Sequence, residues 1–303
     1  MKSLYPSMTP PYRADVGEVV VESNQAGRPH AGKVFAAVHA HLDDVPYYAA
    51  GLCAKLMHEG YQGYLIRTSN DEKVGGGSSA ENILSNEQDH LRMAKALGFQ
   101  DVFDLYYRNH RMDGISSIDI RGRLILLFRM LKVDTLLTFN PWGPGEENPD
   151  HAVTGRAAEQ ACWMCGMDND FHEHREAGIE PHPVLERYYF HARPGQAFNR
   201  VVDIASHIDT KIDAIVECKS QGGGNLGSQL RARLEREGKR LPLLGADDRT
   251  ADRAYVRQFL LDNEREYGRE RGLEFAERFY YIDQRQPSRS KVDEYVSQNA
   301  VQL

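Results

Sequence analysis

The sequence predicts an α/β fold, a Rossmann-like three-layer sandwich with a mostly parallel central sheet, on three observations. The segment KVFAAVHA, starting at Lys33, is apolar almost throughout, as a strand buried on both faces must be. Segments of this kind alternate with stretches of helical spacing, which implies parallel strands joined by crossover helices. With 303 residues, 41% of them hydrophobic, the chain can bury one large core.

Residues 1–32 read as an extended arm, rich in proline and glycine and without helical periodicity. After the first strand, DDVPYYAAGLCAKLMHEG sets Ala49, Cys53, Leu56 and Met57 at helical spacing, with Pro46 in the first turn and Gly60 as a stop. GYLIRTS is a second strand. The loop NDEKVGGGSSAEN then leads to a helix expected to start at Ser85, because Ser85 and Gln88 stand at capping-box spacing. VFDLYY, a helix through RGRLILLFRMLK and the strand VDTLLTF follow. Beyond NPWGPGEENPDH come a helix through AVTGRAAEQACWMC, a polar loop, the strand ERYYFHA and a helix through VVDIASHIDTKIDAIVECKSQ. Residues 33–221 form the main α/β unit of this reading. Residues 222–303, charge-rich after GGGNLGS, read as a helical extension completing the same domain.

A net charge of −7 argues against nucleic acid or an anionic membrane surface as partner, since either would repel the chain. A small-molecule substrate is the expected partner, and a homo-oligomer stays open. No run approaches the roughly 18 apolar residues of a membrane helix, and the N-terminal stretch has prolines and charges where a secretory signal needs an apolar core. Four scattered cysteines do not make a disulfide framework. A cytoplasmic protein is expected.

The chemistry concentrates where KVFAAVHA ends in His41-Leu42-Asp43-Asp44. Parallel sheets place their sites at the carboxyl ends of their strands. His41 and Asp44, three residues apart at a strand-to-helix junction, can converge while Asp43 points elsewhere. A hydrolytic metal site needs three protein ligands, an open position for water and a nearby base. His151, after the strand VDTLLTF and at the start of a helix, is the candidate third ligand. Alone, HLDD would read as acidic residues favouring a helix N-terminus.

The paired segments AHLDD and NPDH resemble the A-H-P-D-D and H-P-D-H motifs of the PIG-L/LmbE-like zinc-dependent N-deacetylases of N-acetylglucosamine derivatives. Weaker echoes are TSNDEKVGG, AKALGF, Asp113-Gly114, the segment ending in Ser220-Gln221, and AERF. The resemblance covers residues 33–221, and more loosely extends to 282. It implies an LmbE-like fold, Zn2+ held by His41, Asp44 and His151, and Asp43 as general base on a zinc-bound water. It also implies that Asp150 orients its neighbours. The implied reaction removes acetate from an N-acetylated amino sugar or glycoconjugate.

Four positions depart from the family pattern. Leu42 stands for a proline, Val45 for a common glutamate, Cys218 for a frequent histidine, and Asn148 for a histidine that stabilises the tetrahedral intermediate or protonates the leaving amine. Asn148 can donate to an oxyanion but cannot deliver a proton. Asp43 must return the proton it took, or another group such as His110 must act. An amidase of another amide, such as a thiol-sugar conjugate, and a carbohydrate-binding relative with impaired catalysis stay open.

Arg108 and Arg111 follow a strand end and are candidate substrate contacts with His110. The Cys162-Trp-Met-Cys165 motif reads as core, lying on an alanine-rich apolar stripe with no second such pair. His39 reads as a satisfied core histidine. His172, His174 and His182 read as solvated or substrate-contacting. The two glycine-rich runs lack the phosphate-loop patterns.

Overall fold

The computed structural model describes residues 17–284 and 291–301, so residues 1–16 of the expected arm lie outside the described residues. The strands are β1 (Val20–Glu22), β2 (Val34–His39), β3 (Gln62–Ser69), β4 (Asp101–Tyr107), β5 (Thr135–Phe139), β6 (Glu186–Phe190), β7 (Arg200–Asp203) and β8 (Ala276–Asp283). They form one sheet in the order β1-β7-β8-β6-β5-β2-β3-β4. Every pairing is parallel except those of β8, which runs antiparallel between β6 and β7. The sheet is mixed and mostly parallel, flanked by helices.

β2 shows why both faces are buried. Phe35 and Ala37 face one apolar cluster, and Val34, Ala36 and Val38 face the other. The first cluster takes side chains from helices α2 (Ala50–His58), α3 (Ser79–Leu97) and α7 (Ile208–Glu217). The second takes them from α4 (Ser117–Leu131) and α5 (Pro149–Met164). Cys162 and Cys165 lie in this second core, as the apolar stripe requires.

Several expectations change in detail. The helix after the first strand is broken at Ala49 into α1 (Asp44–Tyr48) and α2. α3 begins before Ser85: Ser78 is its N-cap, with Glu81 completing the capping box, and Ser85 lies inside the helix with its hydroxyl on the Asn82 carbonyl. Two serines had the right spacing, and the one nearer the glycine loop caps. Residues 200–203 are strand β7, so helix α7 starts later than the sequence suggests. Part of the arm becomes β1, an edge strand on β7.

The C-terminal segment is not wholly helical either. Besides α8 (Leu226–Arg236), α9 (Asp248–Phe259), α10 (Asp262–Arg269) and α11 (Lys291–Asn299), it supplies β8 to the interior of the sheet. The short helix α6 (His172–Glu176) lies in the loop before β6.

Strands β3 and β4 extend the sheet on one side of β2, whereas β5 lies on the other. The chain direction across the sheet therefore reverses between β2 and β5. A crevice opens at such a switch point, outside the carboxyl ends of the two strands.

Candidate metal centre

Both motifs emerge into that crevice, His41 and Asp44 just beyond β2 and His151 in the first turn of α5 beyond β5. The turn after β2 is built around Asp44. Its Oδ2 accepts from the backbone N–H groups of Ala40 (3.0 Å) and His41 (2.7 Å), while the N–H of Leu42 donates to Asp71 Oδ2 at 3.0 Å. Leu42, in place of the family's proline, is wholly buried in the core.

His41 Nδ1 lies 3.0 Å from His151 Nε2. Asp44 Oδ1 is 3.3 Å from His151 Nε2, and Asp44 Oδ2 is 3.7 Å from His41 Nδ1. The three side chains are buried, and their ligand atoms lie within 4.8 Å of one another. Two imidazole nitrogens facing each other this closely repel unless a proton or cation lies between them, and a buried carboxylate beside them favours the cation. Two nitrogens and one carboxylate oxygen are also a donor set that suits a divalent transition metal. The group fits a metal ion.

The electrostatics agree with this geometry. Burial opposes a charge on His41, but Asp150 and Asp44 raise its pKa well above the ordinary value. Burial also opposes charge on His151, yet Asp44 and Glu146 lift it to about 9. Asp44 is held well below the usual carboxylate range by the two imidazoles, against the effect of burial. Asp43 differs: burial and the neighbouring Asp44 push its carboxyl up to about 7.

Asp150 stands behind His41, its Oδ2 3.2 Å from Nε2, and accepts from Asn109 Nδ2 (3.0 Å) and the His110 N–H (2.7 Å). Asn148 caps α5, its Oδ1 accepting from the Asp150 N–H at 3.0 Å, which leaves its NH2 end as the group able to donate.

A cavity of about 390 Å³ opens over this group, lined by His41, Asp43, Asp44, His110, Asn148 and His151 together with Tyr47, Tyr48, Val74, Gln221 and Gly222. His110 is exposed at its rim, in a left-handed conformation with φ of 59° and its ring 6.3 Å from that of His41. Arg108 and Arg111 do not line the cavity. Glu72 draws Arg108 aside at 2.9 Å, and Arg111 is exposed. His39 is wholly buried, with Nδ1 2.6 Å from the His41 carbonyl oxygen. His174 and His182 pack by Arg129 and Asp134, and His172 is exposed.

Sequence reasoning missed Tyr47, Tyr48 and Glu146. Tyr47 donates its hydroxyl to the Gly222 carbonyl, and Gly222 takes φ of 75° directly over Asp43. The GGG run at 222 was the available signal for such a close approach.

Comparison with known proteins finds similarity in both sequence and fold. The PIG-L family, described as GlcNAc-PI de-N-acetylase, matches residues 36–162. A diacetylchitobiose deacetylase of Thermococcus kodakarensis is 25% identical over 188 residues, which span 61% of this chain and 68% of that protein. The inhibitor-bound N,N'-diacetylchitobiose deacetylase of Pyrococcus horikoshii superposes with a TM-score of 0.65 at 20% identity, over 83% of this chain and 84% of the other. The 4-carboxy-2-hydroxymuconate hydratase of Pseudomonas putida gives 0.61 at 18% identity, over 84% and 98%. Both structures share the fold. The stretch that matches the PIG-L family, residues 36–162, carries both motifs, and the fold is the one these structures share.

Proposed function

We propose that this protein is a zinc-dependent amidohydrolase that removes an acetyl group from an N-acetylated amino sugar or glycoconjugate. The observation that carries the reading is the shared cavity, in which Asp43 stands beside three converging ligand side chains. Zinc suits this donor set and, when bound, supplies a Lewis acid for the scissile carbonyl and lowers the pKa of water.

The chain's own residues supply the rest. Asp43 is half-buried at the N-cap of α1 and faces the cavity, where it takes the proton of the attacking water. The amide nitrogen must then leave as an amine, so a proton has to return. Asp43 can hand back the one it took, and His110 at the rim is the other group placed to deliver one. Asn148 donates its NH2 to the developing oxyanion. Asp150 keeps His41 aimed at the cavity.

No described helix is long and apolar enough to cross a membrane. The fitting experiment measures acetate and primary amine released from a panel of N-acetylated amino sugars and their conjugates, with zinc-reconstituted protein and a chelated control. Zinc-dependent, stoichiometric release is expected. Zinc binding without release from any acetylated member would overturn the deacetylase reading. Sugar binding under those conditions would point to the impaired relative that Asn148 suggests.

A further inference from the structure

His41 and His151 each have a second ring nitrogen pointing away from the ligand cluster. That of His41 meets Asp150. That of His151, Nδ1, lies 3.2 Å from Glu146 Oε1, in a loop segment that neither sequence motif includes. We propose that Glu146 is the positioning carboxylate of His151, and that Arg193 holds Glu146 in place. The inference rests on the metal-site reading above.

Two donors reach Glu146 Oε1, the Asn148 N–H at 3.1 Å and Arg193 Nη2 at 3.1 Å, and the edge of the His151 ring lies beside it. The Glu146 side chain is 7% exposed, so its charge is held in a dry setting and needs these partners. Among the described residues, His151 Nδ1 and Glu146 Oε2 are both buried without a well-aligned hydrogen-bond partner. They belong to adjoining groups, and a small turn of the carboxylate satisfies both. The His151 ring is already fixed in plane, stacked on Phe139 at 4.0 Å and 13°. A partner on Nδ1 sets the remaining freedom, the tautomer that leaves Nε2 free to ligate.

Arg193 comes from the loop after β6 and also donates Nη1 to the Tyr48 hydroxyl at 3.2 Å. Tyr48 closes α1, the helix that begins at Asp44. Arg193 thus links the carboxylate behind one ligand to the helix that carries another. Each histidine ligand then has a carboxylate behind it, Asp150 from the NPDH motif and Glu146 from the loop before it.

The test measures zinc affinity by chelator competition and the visible spectrum of the cobalt-substituted protein, in the parent, Glu146→Ala, Glu146→Gln and Arg193→Ala. Removing Glu146 should weaken zinc binding by about 10–100-fold and alter the cobalt spectrum. Glu146→Gln keeps an acceptor oxygen for Nδ1–H and should recover most of both. Arg193→Ala, at a side chain 32% exposed, should shift affinity the same way by a smaller factor, and it carries the test if Glu146→Ala does not fold. Unchanged affinity and spectrum in Glu146→Ala would overturn the inference alone, as would lowered thermal stability with zinc affinity intact. A parent protein that binds no zinc would overturn the metal-site reading itself.

Discussion

The cavity has two walls of different construction. On one side His41 and Asp44 follow the end of β2 and His151 sits in the first turn of α5, and they are 6%, 4% and 5% exposed, with backbone donors or carboxylates behind them. On the other, Val74, His110, Gln221 and Gly222 come from loops, and His110 is exposed. The first wall is held by the sheet and tolerates little movement. The second is free to vary in length and sequence, which is where a fold of this kind adjusts what it binds. That this fold is shared with both a deacetylase and a hydratase fits that division, since a shared scaffold does not fix the chemistry carried on it.

The largest effects should separate the ligand wall from the group that works beside it. His151→Ala removes a ligand, so zinc affinity should fall by more than the roughly 100-fold that loss of a carboxylate behind a ligand can cost, and amide hydrolysis should vanish with it. Asp43→Asn should leave zinc affinity unchanged and reduce turnover by about 10²–10⁴-fold. Equilibrium dialysis beside single-turnover kinetics distinguishes the two. If Asp43→Asn lost zinc as His151→Ala does, Asp43 would belong to the ligand wall and the assignment of a base would fail.

The two walls were also unequally legible in sequence. Metal chelation demands particular residue types, so HLDD and NPDH marked the three side chains that the fold brings together, and the apolar, non-alternating strands marked the sheet that aligns them. The loop wall depends on contacts between distant segments: Tyr47 and Gly222 are 175 residues apart. A strand-end rule also says nothing of direction, which is why Arg108 looked like a substrate contact while its guanidinium faces Glu72. Glu146 escaped notice because an acidic loop residue looks the same whether it faces solvent or a buried imidazole. β8 fell within what read as a helical extension, since a strand inserted antiparallel between β6 and β7 is a matter of topology rather than pattern.

Smaller effects should come from the loop side. Asn148→Ala removes one proposed oxyanion donor and should lower turnover by about 10²–10³-fold with zinc affinity kept. If Asn148→His instead raised turnover and added a new basic limb to the pH profile, the missing proton donor would be the limiting feature of this site. At Gly222 an added methyl would meet Asp43 Cβ at 2.8 Å, in a left-handed conformation that costs a non-glycine residue about 1–2 kcal/mol. Gly222→Ala should therefore displace Asp43 and slow turnover about tenfold, again with zinc retained. Wild-type turnover in Gly222→Ala would mean that the loop does not seat the base.

The effect least visible at neutral pH lies behind the ligand wall. Arg67 is wholly buried and pairs with Asp104 at 2.7 Å and with Asp71 at 2.9 Å, and Asp71 in turn receives the Leu42 N–H. Burial alone would raise the Asp104 carboxyl, but His90 and Arg67 hold it down to about 2, against an ordinary value of 3.8. A carboxylate with a lowered folded-state pKa stabilises the fold fully above its unfolded value, and that stability is lost as pH falls through the folded one. Asp104 should thus contribute roughly 2 kcal/mol that disappears between about pH 4 and pH 2. Urea unfolding across that range should show a steeper acid loss in the parent than in Asp104→Asn, which lacks the titrating group. Equal acid slopes would mean that the chain from Asp104 to Leu42 does not brace the ligand wall electrostatically, and that packing around Leu42 alone holds the turn in place.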